Sequence, residues 1–430
     1  MARRSLLLLL AACSSPGAPP VVGDPDAGVP ARDAGALFDA GIDAGIDAGV
    51  DAGVDAGVVF DAGFDAGAPY VDAGFDAGHS EDAGFDAGLD AGVEVPDAGP
   101  VVPFDIEGFG RATRGGWQPG GDEVLVTSLS NDGPGSLREA LGTATGPRVI
   151  RFALDGTIAL TAPLLVPSNV SIDGRGRQIT LAGKGLILAG SDDVILTNFA
   201  IGNVAPSSED GLRIGDPSGP SERVVVDHVR FFHTGNGGDS ANVDEAISVV
   251  FGSREITLAW LRFDAWEKVL LAGNGDAPAA VDAQITLSMH HCWAKHTGRR
   301  HPQARYGTYD VWNVFLDDWR MYDWFYLEPF RESFGAQSQD GARVRVEASL
   351  FKRTPQLKDG FSQANDATRC ESGGRLDGVA NVTTADSTAP LVFGAGCSGA
   401  TGWSRPYPAT VDAADSSLRT RLETQTGNTL

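Results

Sequence analysis

Cysteine is scarce in this sequence: four in 430 residues, Cys13, Cys292, Cys370 and Cys397. That excludes a disulfide-dense scaffold and a zinc ribbon. No apolar run reaches the roughly 18–20 residues of a membrane-spanning helix. Base is short relative to acid, 33 Lys and Arg against 57 Asp and Glu, for a formal charge of −24. Binding a polyanion such as nucleic acid needs a basic stripe, so nucleic acid is excluded as the default partner.

The acid is unevenly spread. Before residue 105 there are 18 acids against 3 arginines; after it, 39 acids against 30 bases. The chain opens with Arg3 and Arg4, then Leu6 to Leu10, Ala11, Ala12 and Cys13. A short basic start, an apolar stretch and small residues read as an export signal. Leu10-Ala11-Ala12-Cys13 resembles the bacterial lipoprotein box, so residues 1–12 are expected to be a signal peptide and Cys13 the lipidated residue. Acyl chains contribute roughly 0.8 kcal/mol per buried methylene, enough for several chains to hold a body at a membrane. Residues 13–103 are expected to be a tether. Fifteen Asp-Ala-Gly triplets lie between residues 24 and 100. Gly and Asp disfavour helix and strand, and regular like charge extends the chain. A calcium-binding β-roll needs a nine-residue period that is absent. A flexible chain of this length reaches on the order of 50 Å.

From Val124 the pattern changes to short Val/Ile/Leu runs closed by Gly, Asn or Asp. The clearest are 149–152, 169–172, 193–196, 223–226, 255–258, 284–287 and 343–346. Most start 20 to 33 residues apart, with no 10–15-residue amphipathic helix between most of them, which disfavours alternating β-α-β units. Recurrence at this spacing fits a solenoid with one turn per repeat. The expected fold for 104–430 is therefore all-β, a parallel β-helix; a β-sandwich would show turn signals every 8–12 residues. Cys370 and Cys397 lie in loop-like sequence, and an export signal makes a disulfide between them the expectation. Cys292, in a strand pattern, reads as a small buried hydrophobe.

Several ordered blocks then matter. Glu107-Gly108-Phe109-Gly110, Gly115-Gly116, Gly133-Pro134-Gly135-Ser136-Leu137-Arg138, Val170-Ser171-Ile172-Asp173-Gly174 and Val226-Asp227-His228 come first. Asp244-Glu245-Ala246-Ile247, Lys268-Val269-Leu270-Leu271 and Arg300-His301-Pro302-Gln303-Ala304-Arg305 follow. In order and spacing this set resembles the pectate lyases of polysaccharide lyase family 1, over residues 105 to about 355. The Arg-x-Pro-x-x-Arg run after an upstream lysine is its most specific part. The resemblance implies a right-handed parallel β-helix and cleavage of α-1,4-polygalacturonate by β-elimination. It implies that Arg300 is the base, that Lys268 meets the substrate carboxylate and that Arg305 clamps it. Arg299 is a neighbouring candidate for substrate binding. Pro302 and Arg305 select Arg300 over Arg299 as the base.

The resemblance also implies calcium, held at Asp210 and Asp244. The next ligand position falls on Ser248, where the family often has aspartate, and another near Ser208, beside Glu209. Glu209 and Glu245 are candidate substitutes, although on a strand Glu245 should point away from Asp244. The depleted set raises two alternatives. One is a pectin lyase acting on methyl-esterified substrate without calcium, against which Lys268 argues. The other is a weak or inactive β-helix that binds polysaccharide or serves as an adhesin. Asp227-His228 reads as a structural pair. His290 and His291, adjacent on a strand, should face opposite ways and not share a metal. The aromatic stretch from Trp312 to Phe330 reads mainly as packing. The expected partners are polygalacturonate or a related acidic polysaccharide and, through the lipid anchor, a membrane. The protein is expected to be an exported monomer, either lipid-anchored to the cell envelope (outer membrane or cell surface) or secreted.

Overall fold

A computed structural model describes residues 101–205, 210–234, 243–319, 333–354 and 365–430. The signal peptide, Cys13, the Asp-Ala-Gly tether, Ser208, Glu209 and most of the aromatic stretch after Trp319 lie outside the described residues. The strands stack into three sheets of ten, nine and eight strands, and the pairings between them are parallel. A typical turn runs through Val170–Asp173 in the ten-strand sheet, Ile179–Gly183 in the nine-strand sheet and Leu186–Leu188 in the eight-strand sheet. It then returns to the ten-strand sheet at Val194–Thr197. This is the right-handed parallel β-helix expected from the sequence.

Side chains of one kind stack up the inside. Ile150, Ile172, Leu196, Val226, Leu258, Met289, Val311 and Val346 lie in register along the ten-strand sheet, all essentially inaccessible. Such a column removes apolar surface from water at every rung, and the contribution adds turn by turn. All seven apolar runs picked out from the sequence fall in this one sheet. A further rung of it, Thr308–Trp312, was not among them.

The chain leaves the ten-strand sheet through residues in left-handed conformation: Asn198 (φ 56°), His228 (48°), Trp260 (54°), His291 (51°) and Asn313 (50°). They form a ladder at the corner, with His228 stacked on Trp260 at 5.6 Å and Trp260 on His291 at 4.5 Å. The C-terminal segment runs along this ladder. Asn313 donates to the Asp412 carbonyl and accepts from the Asp412 N–H; Asn198 does the same with Leu430. The helix Ser416–Gln425 lays Leu418 and Leu422 on Trp293, Phe315 and Leu350. Residues after 355 thus add strands Thr368–Cys370, Arg375–Val379 and Val382–Thr383, then return along the solenoid. Cys370 and Cys397 are joined in a disulfide, and Cys292 is buried and free, both as expected.

The glycines of the opening blocks have a structural reason. The N-terminal arm crosses the outer face of the ten-strand sheet, where Phe109 and Gly110 donate backbone N–H bonds to Ser288 and Thr257 at 3.0 and 2.9 Å. Gly108 has φ 91°, and a Cβ there would collide with the Ser288 hydroxyl. Only glycine brings the backbone this close.

Candidate active site

The candidate residues lie on the eight-strand sheet or just before its strands. Asp210 precedes Leu212–Ile214, Asp244 and Glu245 precede Ile247–Val249, and Lys268 precedes Leu270–Ala272. Arg300 precedes Gln303–Arg305, and Arg305 ends it. Lys268 pairs with Arg299 across the sheet, while Leu271 pairs with Gln303. Between those two pairings the later strand holds one residue more than the earlier. That extra residue lies beside Arg300, which has a left-handed φ of 67° while its carbonyl still accepts the Leu270 N–H at 2.9 Å. His301, next to it, is buried: its Nε2 meets the Thr297 hydroxyl at 2.7 Å and its Nδ1 the Phe334 carbonyl at 3.1 Å. One ring nitrogen accepting and one donating is the pattern of a neutral imidazole. Burial holds its pKa down, at about 4.

Lys268 and Arg300 converge on one acidic cluster. Lys268 Nζ is 2.7 Å from Asp244 Oδ1, and Arg300 forms an ion pair with Glu245. Oxygens of Asp210, Asp244 and Glu245 lie within 4.8 Å of one another, the one such candidate metal group among the described residues. These residues, with Arg213, Ser248 and Asn274, line a cleft of about 230 Å³. Burial and then the Asp244 charge push the Asp210 carboxyl up to about 7; a bond to Ser248 works the other way. Arg305 meets the cleft lining through Asn274. Its Nε donates to Gln339 at 3.2 Å and its Nη1 to the Asn274 carbonyl at 2.9 Å, with Asp340 at 3.6 Å.

Two sequence expectations need correction. Glu245 does not point away from Asp244, because residues 244 and 245 precede the strand and its alternation does not reach them. Arg299, the further candidate for substrate binding, faces the buried Glu267 at 3.5 Å. His290 and His291 do meet, Nδ1 to Nδ1 at 3.0 Å, because the chain turns at His291. Their rings are stacked on Trp312 and Trp260, and burial drives His290 well below the ordinary imidazole pKa, so they serve packing. Asp227 and His228 pair at 2.7 Å, as read. Arg213, Asn274 and Gln339 were not singled out. Alternation would have placed Arg213 and Gln339 on the outer face, since each follows a buried residue in a strand.

The fold and the site define a class, the right-handed parallel β-helices with a cleft of cations and carboxylates on one sheet, and comparison narrows it. Solved structures share the fold. The cedar pollen allergen Jun a 1 aligns with a TM-score of 0.59 at 21% identity, covering 75% of this chain and 92% of that one. A Bacillus subtilis pectate lyase variant aligns at 0.60 with 17% identity, covering 77% and 99%. In sequence, a probable pectate lyase of Solanum lycopersicum is 33% identical over 236 residues, half of this chain and 56% of that protein. A pectate trisaccharide-lyase of Bacillus licheniformis is 28% identical over 260 residues, 59% of this chain and 69% of that protein. The pectate lyase family model matches residues 152–389, more than half of the chain. The chain belongs to the pectate lyase family.

Proposed function

We propose that the protein is a polysaccharide lyase that cleaves α-1,4-linked polygalacturonate by β-elimination in this cleft. The convergence of Lys268 and Arg300 on Asp210, Asp244 and Glu245 carries the proposal. The hydrogen to be removed is on C5, beside a carboxylate. Its loss puts further negative charge next to an existing anion, so the site must supply a base and concentrated positive charge. Arg300 takes the C5 proton. The C5–H electrons form the C4–C5 double bond, and the glycosidic oxygen leaves C4 with the bonding pair and acquires a proton. An arginine has a free pKa above about 12, so its neutral form must be favoured by neighbouring cations. Lys268 stabilises the developing enediolate, and Arg305, held in orientation by Gln339, clamps the acid bidentately.

The donor set fits calcium. Carboxylates this close repel one another until a hard cation is shared, and oxygen is the ligand calcium takes. Asp210, Asp244 and Glu245, with Ser248 beside Asp210, would hold it. When bound, calcium supplies divalent charge that acidifies the carbon next to the uronate carboxylate. Asp244 and Glu245 now neutralise Lys268 and Arg300; turning those oxygens to a cation leaves both side chains available to the substrate.

A second reading, a β-helix that binds polysaccharide with little turnover, is favoured by the Arg300–Glu245 ion pair, which keeps the guanidinium charged. The unsaturated product absorbs in the ultraviolet, which separates the two. Absorbance should rise on polygalacturonate with calcium, fall away with chelator, and be weaker on methyl-esterified pectin. Binding without any rise sinks the lyase reading. Larger activity on esterified pectin that resists chelator would instead make it a pectin lyase. The proposal includes export and attachment through Cys13 and the 13–103 tether; the Cys370–Cys397 disulfide supports an oxidising compartment.

A further inference from the structure

We propose that Arg213 is a specificity-determining residue of the cleft, binding the carboxylate of a galacturonate unit other than the one clamped by Arg305. This rests on the reading of the cleft as a uronate site. Leu212 and Ile214 are buried and Arg213, between them, faces outward into the cleft. The other cations around it are engaged. Lys268 holds Asp244, Arg300 holds Glu245, Arg299 holds Glu267, and Arg305 holds Gln339 and the Asn274 carbonyl. Arg213 has no ion pair with any described residue, and its Nε, shielded from solvent, has no hydrogen-bond partner among them. Its guanidinium lies over the Phe251 ring, 5.9 Å from the centroid.

The neighbour explains the vacancy. Arg213 and Ser248 are register partners on adjacent strands. A carboxylate at 248 would neutralise Arg213; serine leaves the fork open, and a planar fork suits a carboxylate. Location sets which carboxylate. The strand carrying Arg213 lies three strand spacings, about 14 Å, from the one carrying Arg305. That exceeds one sugar ring, so the two arginines address different units of one chain.

Measurements on Arg213→Gln and Arg213→Lys test this. With polygalacturonate, Arg213→Gln should raise KM by about tenfold or more with a smaller loss in kcat, as expected for a lost hydrogen-bonded charge. Arg213→Lys should fall between it and the unsubstituted protein. A KM within about twofold for Arg213→Gln overturns the assignment. Should the unsubstituted protein form no unsaturated product, the proposed function fails by itself. Calorimetry with trigalacturonate then decides on Arg213: weaker binding by Arg213→Gln supports it, equal binding refutes it.

Discussion

The outer faces of the ten-strand and eight-strand sheets are built from the same rung and used in opposite ways. On the ten-strand sheet, many polar groups are matched. Ser171, Thr257 and Ser288 accept backbone N–H bonds from the N-terminal arm. Fully buried Asp310 receives two bonds from Arg405 and one from Tyr407, and Arg405 reaches on to Glu347. On the eight-strand sheet three carboxylates crowd together, burial pushes one of them up to about 7, and the Nε of Arg213 has no hydrogen-bond partner among the described residues. Crowded charge and unmatched donors at a cleft point to something bound there, whereas the matched groups hold the solenoid together.

Substitutions should separate the two faces. Among substitutions at Lys268, Asp244 and Arg405, Lys268→Ala should have the largest effect, cutting kcat on polygalacturonate by roughly 10²–10³-fold while Tm moves by no more than about 2 °C. A large Tm loss would make Lys268 a structural residue. Asp244→Asn should come next, weakening calcium in calorimetry and raising the calcium needed for half-maximal activity; unchanged calcium binding would move the metal elsewhere. On the other face, Arg405→Ala leaves Asp310 buried without its cation. Breaking such a pair costs about 3–5 kcal/mol, so Tm should fall by roughly 5–10 °C with activity at 25 °C retained. Loss of activity without loss of Tm would erase the distinction between the faces.

The remaining prediction concerns pH rather than a substitution. Burial holds His233 and His301 at about 4 in the fold, against 6.5 when free. As pH falls below 6.5 the unfolded chain takes up protons that the folded chain refuses. Stability is therefore complete above 6.5 and is lost as pH falls towards about 4. A Tm profile that is flat across that window would contradict neutral, buried imidazoles.

The sequence revealed one sheet well and the others poorly. Strands of the ten-strand sheet are four to six residues long with repeated aliphatic positions, as in Arg254–Ala259, and such runs stand out. Strands of the eight-strand sheet are two to four residues, as in Ile247–Val249, too short for alternation to register. Thr308–Trp312 was missed because Thr308, Asp310 and Trp312 break the aliphatic pattern; Asp310 is there to receive Arg405. The cations of the site were legible because Arg300, Pro302 and Arg305 lie in one run. The grouping of Glu245 with Asp244 was not, because it depends on where a strand begins. The pairing of Arg299 with Glu267 depends on a contact between neighbouring turns, which spacing along one strand does not report.

The most direct test is Arg300→Lys, which keeps a cation opposite Glu245 but replaces the guanidine proposed to take the C5 proton. Formation of unsaturated product from polygalacturonate should fall by roughly 10³-fold or more, with substrate binding and Tm near those of the unsubstituted protein. Turnover within about tenfold of the unsubstituted protein would show that Arg300 is not the base.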